Sequence, residues 1–123
     1  MNKFEDALHL HLQSIENRDI EAFAEFLHPS LNSIIILPNG GMVEGFDNIV
    51  NFHREWFADF DWKMDVEVID TFIAGSVGYA LLDVVYHDLD ENGQPYELKY
   101  FLSLLFNEID GKWILLRDQN TLK

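Results

Sequence analysis

The chain has 123 residues, 48% hydrophobic and 14% aromatic, which suffices for the core of one domain spanning residues 1–123. Its net charge of −14, from 22 acidic and 8 basic residues, repels phosphate and anionic lipid and argues against nucleic-acid or membrane binding. The chain contains no cysteine, so disulfides, thiol nucleophiles and thiolate metal sites are excluded. The amino terminus does not resemble a secretory signal, and we expect a cytoplasmic location.

Two helices are predicted at the start of the chain. Apolar residues recur at helical spacing through residues 2–17 and form one stripe. Asp19 fits the N-cap of a second helix over residues 20–27, because its carboxylate can accept hydrogen bonds from free backbone N–H groups. Pro29 ends that helix, since the residue before a proline avoids helical backbone angles.

The next stretch predicts a short strand, a turn and a third helix. Residues 33–37 are a β-branched apolar run, which indicates a strand buried on both faces. A Pro-Asn-Gly-Gly turn leads to a short returning strand. Asp47 fits the N-cap of a helix over residues 48–59, whose apolar stripe is rich in aromatic side chains.

The second half of the chain predicts four long antiparallel strands. Residues 62–73 alternate between apolar and charged side chains, and residues 77–87 are apolar except for Asp83. Residues 94–123 read as two strands joined at Asp110-Gly111, a pair that accepts the positive φ angles of a tight hairpin turn. Long strands must coil, so we expect an α+β fold with three helices packed on a strongly curved antiparallel sheet, which together form a cone.

Three segments carry a family resemblance. Residues 41–45 (GMVEG) lead into the third helix, residues 110–113 (DGKW) form the hairpin turn, and residues 117–121 (RDQNT) place alternating polar side chains on the last strand. Together with the element order, they resemble the nuclear transport factor 2-like, or SnoaL-like, superfamily over nearly the whole chain. The resemblance implies the same cone-shaped, cystatin-like roll and a homodimer joined through the outer sheet face. It leaves the activity open, because the superfamily includes steroid isomerases, polyketide cyclases, dehydratases, transport factors and association domains.

The strand over residues 96–106 supports the homodimer independently. It is apolar on both faces, and only one of them can meet the helices. The other face would leave a large apolar patch on a monomer, and such a patch usually marks an interface.

Candidates for chemistry come from two strands and the third helix. Asp83 stands among apolar residues, where burial would raise its pKa and suit it to act as a general base, with Tyr100 beside it as an oxyanion donor. The alternative for Asp83 is structural: a bulge, the dimer interface or an ion pair with Arg117. His53 and Trp56 lie on the apolar side of the third helix, which should overhang the pocket. His53 could transfer a proton or be a hydrogen-bonded core residue, and Trp56 could contact a ligand.

The last strand offers two ligand-binding candidates. Arg117 and Gln119 share a strand face with Trp113, so an inward Trp113 would point both into the cone, where an arginine could bind a carboxylate. A single bulge would exchange them for Asp118 and Asn120.

The predicted function is binding of a small, largely apolar molecule in the cone, extended by cofactor-free acid–base chemistry of the isomerase, cyclase or dehydratase type. The alternative is a non-catalytic homodimeric association domain. No metal or other cofactor is expected, because the sequence has no HExxH, P-loop, GxGxxG or GxSxG motif. The resemblance to steroid isomerases is incomplete, since the first helix carries no tyrosine to serve as their oxyanion donor.

Overall fold

The computed structural model describes residues 3–123, in which three helices pack on a six-stranded sheet. Its strand order is β2-β1-β6-β5-β4-β3, and all neighbouring strands are antiparallel except β1 and β6. The predicted α+β fold is confirmed, with the correction that one parallel pair makes the sheet mixed. The helices are α1 (Phe4–Glu16), α2 (Ile20–Ala24) and α3 (Phe46–Phe57); the strands are β1 (Ile34–Ile36), β2 (Met42–Glu44), β3 (Lys63–Ala74), β4 (Val77–Leu89), β5 (Pro95–Ile109) and β6 (Lys112–Leu122).

A tight turn joins α1 and α2. Arg18 adopts a left-handed φ of 54° between the two helices. Asp19 caps α2 as predicted, since its carboxylate accepts a hydrogen bond from Ala22 N at 3.1 Å. The helix ends at Ala24, earlier than predicted, because the next backbone hydrogen bonds span three residues rather than four. The predicted start of α1 at Asn2 lies outside the described residues.

Positive φ angles set two other boundaries. The N-cap of α3 is Gly45, with φ of 89°, and not the predicted Asp47, which lies in the first turn of the helix. The hairpin between β5 and β6 turns at Asp110 and Gly111 as predicted, with φ angles of 51° and 80°.

Burial alternates along β4 and shows which face of the sheet meets the helices. Ala80, Leu82 and Val84 are fully buried on the concave face, whereas Asp83 on the outer face is only partly buried. Gly78 begins this buried row, and a Cβ at that position would lie 2.5 Å from the ring of Phe4 in α1. The core therefore sits between the helices and the concave face of the sheet.

A β-bulge in β6 decides which of its polar residues point inward. The pairing of β5 with β6 skips Leu116, which is the extra residue of the bulge. Leu115 before the bulge and Asp118 after it are both buried, whereas Arg117 and Gln119 are exposed. The expectation that Arg117 and Gln119 point into the cone is therefore wrong, and the bulge is the physical reason. Among residues 3–123, no helix is long and apolar enough to cross a bilayer.

Candidate functional site

The helices do not fill the concave face of the sheet, and a cavity of about 360 Å³ remains at one end. Its walls come from the last turn of α1, from α3, from β1 with the turn after it, and from β3 to β6. Most of the wall is apolar, as in typical small-molecule sites. The polar or ring-nitrogen groups in it belong to Asn39, His53, Trp56, Tyr86, Tyr100, Asp118 and Asn120.

Three of the six residues predicted for the site line this cavity. His53 and Trp56 reach it from α3, one turn apart, and Tyr100 reaches it from the concave face of β5. Their shared position places them close to one another, while their chemical roles stay predictions.

Asp83 lies on the opposite face of the sheet. It pairs across the strands with Phe101, whereas the buried Val84 pairs with Tyr100. The expectation that Asp83 and Tyr100 form one site is therefore wrong, because successive residues of a strand point to opposite faces. Of the structural alternatives, Asp83 forms an ion pair, but its partner is Lys123 at 2.8 Å rather than Arg117.

The other two predicted ligand-binding residues also lie outside the cavity. The Arg117 guanidinium donates hydrogen bonds to the backbone oxygens of Asn32 at 3.0 Å and Leu116 at 2.7 Å. It thus ties the β-bulge to the loop before β1. Gln119 is exposed on the same outer face.

The bulge brings Asp118 and Asn120 into the cavity wall in place of Arg117 and Gln119. Asp118 is only 8% exposed, and Asn120 Nδ2 donates a hydrogen bond to its Oδ1 at 3.1 Å. Burial raises the pKa of Asp118 from 3.8 to about 7, and the hydrogen bond from Asn120 opposes that rise. No lysine, arginine or histidine among residues 3–123 forms an ion pair with it. A carboxyl with this pKa is present in both protonation states near neutral pH.

Tyr100 shares the cavity wall with Asp118. Burial first and the charge of Asp118 second raise the pKa of Tyr100 well above its ordinary value of 10, so that its hydroxyl stays protonated at neutral pH. No hydrogen-bond partner for this hydroxyl is present among the described residues. The Tyr100 hydroxyl can therefore donate a hydrogen bond to a ligand oxygen.

His53 is held in one tautomer. Its Nδ1 lies 2.8 Å from the backbone oxygen of Ile49, and because a carbonyl can only accept, Nδ1 carries the proton. Burial lowers the pKa of His53 to about 4, with the hydrogen bond to Ile49 opposing that change. Its ring also stacks on Phe23, with the centroids 3.9 Å apart. At neutral pH His53 is an uncharged imidazole whose Nε2 is an acceptor.

Trp56 is fixed by contacts on several sides. Its Nε1 donates to the Tyr86 hydroxyl at 3.1 Å, and that hydroxyl in turn donates to Asp88 Oδ2 at 2.8 Å. Its ring stacks on Trp62 with the centroids 4.4 Å apart. The Arg18 guanidinium in turn packs on the Trp62 ring, 4.0 Å from its centroid. The indole is thus a rigid wall of the cavity.

The described chain offers no cluster for a metal ion: residues 3–123 hold no group of three or more His, Asp or Glu side chains at ligating distance. The sequence analysis gave Asp118 and Asn120 only as the alternative that a single bulge would turn inward, and the bulge at Leu116 makes that alternative the correct one. Their only signal was the alternation of polar side chains in residues 117–121, which fits either face until the bulge is located.

No protein-family model matches the sequence, and no curated protein matches it significantly. Solved structures do match the fold. A proposed dehydratase of the NTF2-like family from Streptomyces avermitilis is 11% identical, with a TM-score of 0.81 over 95% of this chain and 92% of that one. A ketosteroid isomerase-like protein from Erwinia carotovora atroseptica is 15% identical, with a TM-score of 0.78 over 96% and 92%.

A third similar structure comes from Thiobacillus denitrificans and is a proposed calcium/calmodulin-dependent protein kinase type II association domain. It is 10% identical, with a TM-score of 0.79 over 100% of this chain and 97% of that one. At these identities the similarity shows the fold alone, which is the NTF2-like α+β cone that the sequence resembles. The activity has to be argued from the site.

Proposed function

We propose that this protein binds a small, largely apolar molecule in the cavity and transfers a proton to or from it without a cofactor. The observation that carries the proposal is the buried carboxyl of Asp118, which lies in the wall of a largely apolar cavity with no cationic partner among the described residues. Asp118 thus replaces Asp83 as the proposed acid–base residue.

The raised pKa suits Asp118 to both directions of proton transfer. With a pKa of about 7, a sizeable fraction is ionised at neutral pH, and the ionised form is more basic than an ordinary carboxylate. The protonated fraction can act as an acid toward a leaving hydroxyl. Either role fits the isomerase, cyclase and dehydratase chemistries that this type of fold can support.

Tyr100 and His53 fill supporting roles in the proposed chemistry. A proton taken from carbon next to a carbonyl leaves negative charge on oxygen, and the Tyr100 hydroxyl is the free donor that could stabilise it. His53 acts as an acceptor that orients the ligand, because its lowered pKa and its bond to Ile49 keep it neutral. Trp56 supplies a flat apolar surface for the ligand body.

A probe reaction with known chemistry tests the proton transfer before the natural substrate is known. In 5-nitrobenzisoxazole, a base removes the proton on C3 while the N–O bond breaks, giving a cyanophenolate. We expect the wild-type rate to rise with pH through about 7, as Asp118 ionises, and Asp118→Asn to lower it by about 10²-fold or more. Release of the phenolate is followed by absorbance.

Asp83→Asn is the matched control, because it makes the same change on the outer face of the sheet. It should retain the wild-type rate. Equal rates for wild type and Asp118→Asn would contradict the proposed role of Asp118, and loss of activity in Asp83→Asn alone would restore the prediction from the sequence.

An association domain is the second candidate, because apolar side chains are exposed on the outer sheet face. Phe72 and Phe101 are 51% and 38% exposed there, and Phe72 stacks on Tyr79 with the centroids 5.1 Å apart. Such a patch supports a homodimer joined through this face. Native mass spectrometry of the fresh protein separates the two functions: a dimer with a retained small mass favours ligand binding, whereas a clean dimer that is inactive on the probe favours association.

A further inference from the structure

We infer that the ligand of the cavity carries a protonated amine on an apolar body. This inference rests on the ligand-binding part of the proposed function and names the chemical class that the site would take. Its basis is the balance of hydrogen-bond acceptors, donors and charges in the cavity wall.

Acceptors dominate the polar part of the wall. Asn120 Nδ2 donates to Ile36 O at 2.7 Å and to Asp118 Oδ1 at 3.1 Å, so both of its N–H groups are used and its own Oδ1 is left to accept. Asp118 Oδ2 has no donor among residues 3–123. His53 Nε2 is the third acceptor, because Nδ1 carries the proton toward Ile49.

Most donors in the wall are already used inside the protein. The Trp56 N–H donates to Tyr86, and the Tyr86 hydroxyl donates to Asp88. The Tyr100 hydroxyl remains, together with the amide nitrogen of Asn39 at the exposed rim. A ligand group that only accepts would find few donors, whereas an ammonium group, which has three donors and no acceptor, matches the wall.

The charge of the cavity wall also favours a cationic ligand. No lysine or arginine lines the cavity among the described residues, and Arg117 and Lys123, which lie nearby in the chain, contact Asn32 and Asp83 outside it. A carboxylate or phosphate ligand would therefore meet the Asp118 carboxylate without a compensating cation. The net charge of −14 adds a long-range attraction for cations.

Aromatic faces complete the argument. Phe52, Trp56 and Tyr100 line the cavity together with Asp118. A desolvated ammonium group is stabilised by aromatic rings as well as by its counter-ion, and the ring carbons also accommodate an apolar body. Tyr100 from β5, His53 from α3 and Tyr86 from β4 are the other titratable side chains of the cavity, and none of them is cationic at neutral pH.

Three probes with one scaffold test the inference: 1-naphthylmethylamine, 1-naphthalenemethanol and 1-naphthoic acid. They share the apolar body and differ in charge, from +1 to 0 to −1 at pH 8. We expect calorimetric titration of the wild-type protein to give a dissociation constant for the amine at least about tenfold lower than for the alcohol, as a charge-assisted hydrogen bond would produce. The acid should bind most weakly.

The variant Asp118→Asn should weaken the amine by about tenfold or more and the alcohol by much less, because only the amine loses a counter-ion. Equal affinities for amine and alcohol in the wild-type protein would overturn the amine inference while still supporting an apolar binding site. Tightest binding by the acid would overturn it as well. If none of the three probes binds, the proposed ligand-binding function fails together with the inference.

Discussion

The two ends of the concave face are built on the same strands but are packed differently. At one end, Phe4 packs 5.5 Å from Phe106 and 5.1 Å from Trp113, and His11 meets Phe106 edge to face at 5.3 Å. At the other end, the side chains stop short of each other and leave the cavity. The Leu116 bulge lies between the two ends and turns β6 from apolar packing to polar lining. One end is therefore closely packed, whereas the other leaves the space that the proposed ligand would need.

The largest expected effect compares one substitution at both ends. Phe106→Ala should lower the free energy of unfolding by about 3–5 kcal/mol, because a fully buried ring leaves a void that its neighbours cannot fill. Phe52→Ala, at the half-buried cavity wall, should lower it by about 1 kcal/mol, since less apolar surface is lost. Urea denaturation measures both values. Similar losses would mean that the cavity end is packed as tightly as the other.

The second prediction concerns pH at the cavity end. The folded-state pKa of Asp118, about 7, lies above its ordinary value of 3.8, so between these pH values the folded protein holds a proton that the unfolded chain has lost. The stability that this proton contributes is fully present below pH 3.8 and is lost as the pH rises through 7. Asp118→Asn keeps the neutral shape. It should therefore be more stable than wild type at pH 8, and its advantage should shrink by about 2–3 kcal/mol at pH 5.

Urea denaturation of both proteins at pH 5 and pH 8 checks this difference, in which the contributions of other titrating groups cancel. An advantage of the same size at both pH values would show that Asp118 is ionised across the whole range. The cavity would then be wetter than its burial indicates.

The third prediction concerns the packed end, where His11 is fully buried and neither ring nitrogen has a hydrogen-bond partner among the described residues. Burial, and to a lesser extent His53, lowers the pKa of His11 to about 3. His11→Phe should raise the free energy of unfolding by about 1–2 kcal/mol at pH 8, because two unpaired polar atoms are removed.

The gain from His11→Phe should be larger at pH 5. Below pH 6.5 the unfolded chain binds a proton at His11 that the folded chain does not bind. Wild-type stability therefore decreases as the pH is lowered, and the variant lacks this decrease. His9→Phe on the exposed side of α1 is the control and should change stability little. A destabilised His11→Phe at both pH values would indicate that the imidazole has a polar partner after all.

Local chemistry made much of the fold predictable. The Asp19 cap, the Asp110-Gly111 turn and the order of helices and strands all depend on residues close together in the chain. The parallel pairing of β1 with β6 joins residues more than 80 positions apart in the chain, so no local sequence pattern predicts it.

The site was harder to predict because the sequences of β4 and β6 do not show which face of each strand meets the helices. In β4 the sequence cannot say whether Asp83 or its neighbours face the helices, and in β6 the face depends on one skipped residue, Leu116. His53 and Trp56 were found because a helix has a single apolar stripe, which fixes their direction.

The smallest expected effect tests the two faces of the sheet against each other. Asp83 and Lys123 form an ion pair at 2.8 Å, but both side chains remain partly exposed to solvent, so the pair is screened. Asp83→Asn should lower the free energy of unfolding by about 0–1 kcal/mol, and the loss should shrink further in 0.5 M salt. Chemical denaturation at two salt concentrations measures it. A loss of several kcal/mol that resists salt would mean that this carboxylate is desolvated in solution. Because the monomer leaves it partly exposed, the covering surface would have to be a second copy of the chain, and dilution below the dissociation constant of the dimer should then restore the small, salt-sensitive effect.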